Sequence, residues 1–153
     1  MRRLGLFIAT CGYIGYAPVA PGTFGSAAGL LVFAAVRSSG SPVLEAAVIV
    51  SLFLIGVWSG TEAEHHFGGI DPAPVVMDEV VGMLITLAFI PVGITGALIG
   101  FVLFRIFDVI KPFPARRFEA LHGGLGVMAD DAMAAIYANI VLRIILYLLP
   151  GWL

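Results

Sequence analysis

The chain has 153 residues, 60% hydrophobic and 12% charged, with a net charge of −2 and a mean hydropathy of +1.05. Soluble domains carry about a quarter charged residues, so this composition excludes a disordered chain, argues against an ordinary soluble domain, and points to one integral membrane domain over 1–153. The near-neutral balance gives no footing for nucleic acid, and the lone Cys11 excludes an intrachain disulfide and a zinc–thiolate cluster.

Met1, Arg2 and Arg3 ahead of Leu4-Gly5-Leu6-Phe7-Ile8-Ala9 look like the start of a signal peptide. The rest of the chain is itself membrane-like, so the segment is read as a retained N-terminal part. Residues 4–36 lack Asp, Glu, Lys and Arg, but Pro18, Pro21 and several glycines confine the predicted helix to 24–36. Arg37 to Pro42 forms a turn, and 43–61 is the second apolar helix. An acidic loop is expected over 62–79.

Residues 80–104 are long enough for one span, which takes about 20 residues. They also contain Pro91, Gly93 and Gly96, which favour two short helices, 79–90 and 94–110. A last helix is expected over 130–149, across Arg143. The predicted fold is therefore all-α, a small membrane bundle of four to five helices, some short or broken. Arg2 and Arg3 at one end of the chain, and Arg105, Lys111, Arg116 and Arg117 around loop 111–129, mark one membrane face as cytoplasmic. The hairpin keeps both groups on that face; a single span does not.

Nine of the ten acids lie between 62 and 131. In a chain this poor in charge, carboxylates beside apolar helices are candidates for function. Four runs stand out. Ala20-Pro21-Gly22-Thr23-Phe24-Gly25-Ser26 opens a helix and has the chemistry of a phosphate cradle, through Gly22, Thr23, Gly25 and Ser26. A plain turn capped by Thr23 is the bland alternative. Asp78 and Glu79 are adjacent at a helix start, where they suit a metal or simply complement the dipole. Arg105, Asp108 and Lys111 recur at intervals of three and share a helical face, as a salt-bridged stripe or a phosphate–metal site. Gly123-Gly124-Leu125-Gly126 delivers Asp130 and Asp131 to a helix. Hard oxygen donors of this kind suit Mg²⁺ or Mn²⁺.

His65 and His66 lack a metal-binding spacing with Glu62 and Glu64, and His122 is a weak phosphate contact. There is no Walker A run, no Cys-x₅-Arg, no Asp-x-Asp-x-Thr/Val and no paired-histidine nucleophile signature. Metal-assisted hydrolysis by water, or a carboxylate nucleophile, remains.

The runs APGTFGS (20–26), VVMDEVVGMLITL (75–87), FRIFDVIKPFPARRFE (104–119) and HGGLGVMADD (122–131) resemble, in order and spacing, the phosphatidylglycerophosphatase A family. The resemblance implies a Mg²⁺-dependent bacterial inner-membrane enzyme, multi-pass, with its site on the cytoplasmic face. Its reaction would convert phosphatidylglycerophosphate in the bilayer to phosphatidylglycerol. The family's motifs fall on Asp78, Glu79, Asp108, Asp130 and Asp131 as expected metal ligands. They also fall on Gly22, Thr23, Gly25, Ser26 and Lys111. On chemistry, Asp78, Asp108, Asp131 and Lys111 are expected to be catalytic, with Arg105 and Lys111 on phosphate. Glu62, Glu64 and Asp71 are left out of the core site. The rival readings are a small ion transporter or channel subunit, with acids spread through the membrane depth, and a noncatalytic scaffold.

Overall fold

The computed structural model describes residues 2–118 and 121–149; Glu119, counted above among the acids, lies outside them. The described residues are all-helical. They form α1 (Arg2–Ala9), a 3₁₀ turn (Ile14–Tyr16), α2 (Pro21–Arg37), α3 (Pro42–Phe67), α4 (Met77–Leu87), α5 (Ile94–Ile110), α6 (Ala115–Phe118) and α7 (Gly124–Leu148). The all-α membrane bundle expected from composition is the fold found. The N-terminal segment and part of the 111–129 loop add the short α1 and α6.

Helices α3 and α7 are long and apolar enough to cross a membrane, and less than a third of each apolar window is buried. Side chains such as Leu31, Val43, Ile94 and Tyr147 are largely exposed. An outward apolar surface of that extent belongs against lipid rather than water. The buried helix is α4, nine of whose eleven residues are buried. It packs among α2, α3, α5 and α7.

The region 80–104 is a hairpin, with α4 and α5 joined by 88–93. At 11 residues α4 is about 16 Å long, too short to span a bilayer. Its carbonyl end must therefore be satisfied inside the protein. Asn139 of α7 donates its amide to the carbonyls of Ile85, Thr86 and Ala88 at 3.1, 2.9 and 3.2 Å. Arg143 reaches Ala88 O at 2.9 Å and Asn139 Oδ1 at 2.8 Å. Glu45, on the first turn of α3, accepts from Phe89 N at 2.9 Å and faces Arg37 at 3.8 Å.

Glycines set how closely the helices approach. Gly25 and Gly29 of α2 press on α4, where an added Cβ would lie 2.8 Å from Val76 Cβ and 2.7 Å from Met83 Cβ. Small residues four apart serve membrane helices in this way. Gly124 sits against the α3 backbone at Val57.

Helix α2 starts at Pro21 rather than 24 and α4 ends at Leu87 rather than 90, and two further boundaries move more. Glu62 and Glu64 lie within α3, which runs on to Phe67 and ends at Gly68 in the left-handed conformation, so the acidic loop is shorter than expected. The run Gly124–Gly126 is already the first turn of α7 rather than a preceding loop, which places Asp130 and Asp131 in its second turn. Neighbouring side chains make that early start possible. Thr61 Oγ1 accepts from Gly124 N at 2.9 Å, and Glu64 Oε2 from Gly123 N at 2.8 Å, capping α7 from α3.

Candidate active site

The hairpin brings the first turn of α4, the last turn of α5 and the second turn of α7 to the same end of the bundle. Between them lies a cavity of about 250 Å³ lined by Asp71, Asp78, Glu79, Arg105, Asp108, Lys111 and Asp131, with Ala20, Pro21 and Gly22 from the start of α2. Val76 N donates to Ala9 O at 2.9 Å, tying the approach to α4 to the end of α1. Glu64 Oε1 accepts from Asp71 N at 3.4 Å and holds the loop that carries Asp71.

Five carboxylates thus face two cations. Arg105 Nη1 lies 2.7 Å from Asp108 and 3.6 Å from Glu79. Lys111 Nζ is hydrogen-bonded to Asp130, a fully buried residue behind the cavity. Asp130 Oδ1 in turn accepts from Asp131 N at 2.9 Å. Both cations are committed, and the charge that remains is negative.

Asp78, Glu79 and Asp131 each offer a carboxylate oxygen within 4.8 Å of the others. Asp78 Oδ1, Glu79 Oε2 and Asp131 Oδ2 are buried without a hydrogen-bond partner among the described residues. Burying a carboxylate oxygen unpaired costs several kcal/mol. Burial, then the charges of Glu79 and Asp131, push the Asp78 carboxyl well above the usual carboxylate range. Burial also raises Glu79. Burial works to lower the Lys111 ammonium, but its bond to Asp130, with Asp131 and Asp71 beyond, outweighs that and holds it above the ordinary lysine range. Three hard oxygen donors, crowded and unpartnered, fit a small divalent cation.

The sequence-predicted residues divide. Asp78, Glu79, Asp108, Asp131, Arg105 and Lys111 line the cavity, as does Gly22. Asp108 is engaged by Arg105, and Asp130 by Lys111, so these two stand apart from the three convergent oxygens. Gly25 lies in the α2–α4 contact, and Ser26 is buried with its hydroxyl donating to Gly22 O at 2.8 Å. Thr23 is not the cap of α2; Ala20 is, and Thr23 faces an adjoining groove. Most of the run 20–26 therefore serves helix packing. A methyl on Gly22 would collide with Glu79 Oε1, so this glycine is what admits the carboxylate. His65, His66 and His122 are exposed and away from the cavity. Asp71, set aside in the sequence reading, lines it; its acidic type within reach of the Asp78 run was the available signal.

A family model described as phosphatidylglycerophosphatase A matches residues 7–146. The chain belongs to the phosphatidylglycerophosphatase A family. A Haemophilus influenzae protein of that name is 41% identical over 130 residues, covering 84% of this chain and 80% of the relative. An Escherichia coli protein of the same name is 34% identical over 133 residues, covering 86% and 77%. A Bacteroides thetaiotaomicron protein provisionally named a phosphatidylinositol-3-phosphatase is 34% identical over 137 residues, covering 85% and 86%. No solved structure matches the chain.

Proposed function

We propose that this chain is a membrane phosphatase that removes the terminal phosphate of phosphatidylglycerophosphate, leaving phosphatidylglycerol. The observation that carries the reading is the convergence of three carboxylates, each with a buried unpartnered oxygen, beside Arg105 and Lys111, at one end of a lipid-facing bundle. Family membership supplies the phosphatase chemistry that such a pocket serves.

Asp78, Glu79 and Asp131 hold Mg²⁺, with Mn²⁺ as a substitute. When bound, the ion neutralises the acidic pocket, polarises the phosphoryl group and lowers the pKa of water. Without a cation, five carboxylates would repel a phosphate dianion. Lys111 and Arg105 gather phosphoryl oxygens as negative charge spreads over them. Asp130 and Asp108 aim those two cations, since each carboxylate grips one of them. Hydrolysis consumes one water, whose oxygen joins phosphorus while the glycerol oxygen leaves with a proton.

The bundle is multi-pass, and the site end faces the cytoplasm of a bacterial inner membrane. Arg2 and Arg3 on α1 and Arg116 and Arg117 on α6 support that orientation under the positive-inside rule. An ion-transport reading needs acids along the depth of the membrane, whereas here those of the described residues gather at one end, Glu45 apart.

The test is a substrate panel in mixed micelles with Mg²⁺: phosphatidylglycerophosphate, phosphatidate and phosphatidylinositol 3-phosphate. The expected result is fastest phosphate release from phosphatidylglycerophosphate. Preference for the inositol lipid would move the reading to the headgroup in the Bacteroides relative's name. No release from any of the three would overturn the phosphatase reading.

A further inference from the structure

Helices α2 and α5 touch each other only lightly, and their seam carries a groove at each end. Each helix is anchored elsewhere: α2 through Gly25 and Gly29 on α4, and α5 through Gly100 against Leu87 and Leu142. At the site end the seam holds an apolar groove of about 480 Å³, lined by Thr23 of α2 and by Phe101, Val102, Arg105 and Ile106 of α5. At the opposite end it holds a second apolar groove of about 610 Å³, between Leu30 and Phe33 of α2 and Ile94 and Leu98 of α5. Arg105 lines both the acidic cavity and the nearer groove.

We propose that the α2–α5 seam is the acyl-chain subsite, through which one chain of the substrate lipid lies while its phosphate occupies the acidic cavity. This rests on the phosphatase reading given above. The occupant is a linear hydrocarbon tethered to a phosphate, because both grooves are mainly apolar, Leu98 and Val102 follow one another between them on α5, and the nearer groove ends at the Arg105 guanidinium that also lines the acidic cavity. The seam opens sideways to the bilayer, so the lipid enters without leaving the membrane.

Val102 and Leu98 are both half-exposed in the seam, one helical turn apart. Val102→Trp blocks it near Arg105, and Leu98→Trp blocks it about 6 Å further along. With dipalmitoyl substrate, Val102→Trp is expected to lower kcat/KM about tenfold, mainly through KM, and Leu98→Trp less. With dibutanoyl substrate, both variants stay within twofold of the parent. Val102→Ala, which leaves the groove open, keeps the parent's chain-length preference. Ile140→Trp, on a lipid-facing position of α7 outside the seam, changes neither substrate. Equal losses on long and short chains, or no loss on long chains, would overturn the proposal alone. An inactive parent protein would overturn the phosphatase reading and this subsite together.

Discussion

Both ends of the bundle bury charged or polar side chains in an apolar protein, and they treat them in opposite ways. At the α4 C-terminal end every charged or amide side chain is answered, Asn139 by three carbonyls, Arg143 by Ala88 O and Asn139, Glu45 by Phe89 N and Arg37, and the neutral Thr86 hydroxyl is the one buried group left without a partner among the described residues. At the other end Asp78, Glu79 and Asp131 keep buried oxygens with no partner among the described residues. Satisfied polar groups fix a fold, here the end of a half-length helix. Unsatisfied ones of like charge raise the energy of the empty protein and lower the energy of binding a cation. The difference separates structure from function more sharply than burial alone, since Glu45 is as buried as Asp78.

Neutralising one of the unpartnered acids is expected to have the largest effect. Asp131→Asn and Asp78→Asn should each lower phosphate release on the order of a hundredfold or more. Their thermal midpoints in EDTA should be unchanged or raised, because a buried like charge has been removed. A midpoint that falls in both variants would place these acids with the structural groups of the other end.

Lys111→Met should cost roughly ten- to a hundredfold in activity and about 3 kcal/mol in stability, since Asp130 is left buried and unpaired. Adding Asp130→Leu should restore stability without restoring release. Recovery of activity in the double variant would show that Lys111 does not meet substrate.

At the opposite end the effects should invert. Asn139→Leu takes the amide from three carbonyls, of which Ala88 O keeps Arg143 and Ile85 O keeps Ala88 N, and is expected to cost about 2 kcal/mol, read as a lower midpoint in detergent. Turnover per folded molecule should stay within twofold.

A smaller effect concerns pH. The Asp78 and Glu79 carboxyls are held above their ordinary values, so the folded protein binds their protons more tightly than the unfolded chain. Their contribution to stability is fully present below the ordinary carboxylate range and is lost as pH rises through the raised values. In EDTA the midpoint should therefore fall with rising pH across that window. Mg²⁺ should cancel the fall, and its affinity should rise with pH as it displaces those protons. A midpoint that climbs with pH in EDTA would contradict the crowded-acid account.

The sequence carried the site's chemistry further than its architecture. Asp78, Glu79, Arg105, Asp108, Lys111 and Asp131 were legible because charge is scarce in this chain and they border apolar stretches. The α4–α5 hairpin was legible from Pro91 and Gly93 together with the distribution of basic residues. The glycine runs misled for a physical reason: close approach to a ligand and close approach to another helix demand the same missing Cβ. Only the fold shows that Gly25 meets Val76 and Gly124 meets Val57. The pairing of Asp130 with Lys111, nineteen residues away, depends on how α7 packs beside the end of α5 and left no local mark. Arg143 read as an interruption of the last apolar helix, and its service to the end of α4, shared with Asn139, appears only once α4 is known to stop halfway.

On the function proposed above, hydrolysis requires a divalent cation held by Asp78, Glu79 and Asp131. The most direct measurement is phosphate release from phosphatidylglycerophosphate as Mg²⁺ is titrated into EDTA-treated parent and Asp131→Asn protein of matched folding. Saturable, Mg²⁺-dependent release by the parent and almost none by the variant at any concentration are the expected results. Full release by the parent in EDTA, or parallel curves for the two proteins, would contradict that requirement.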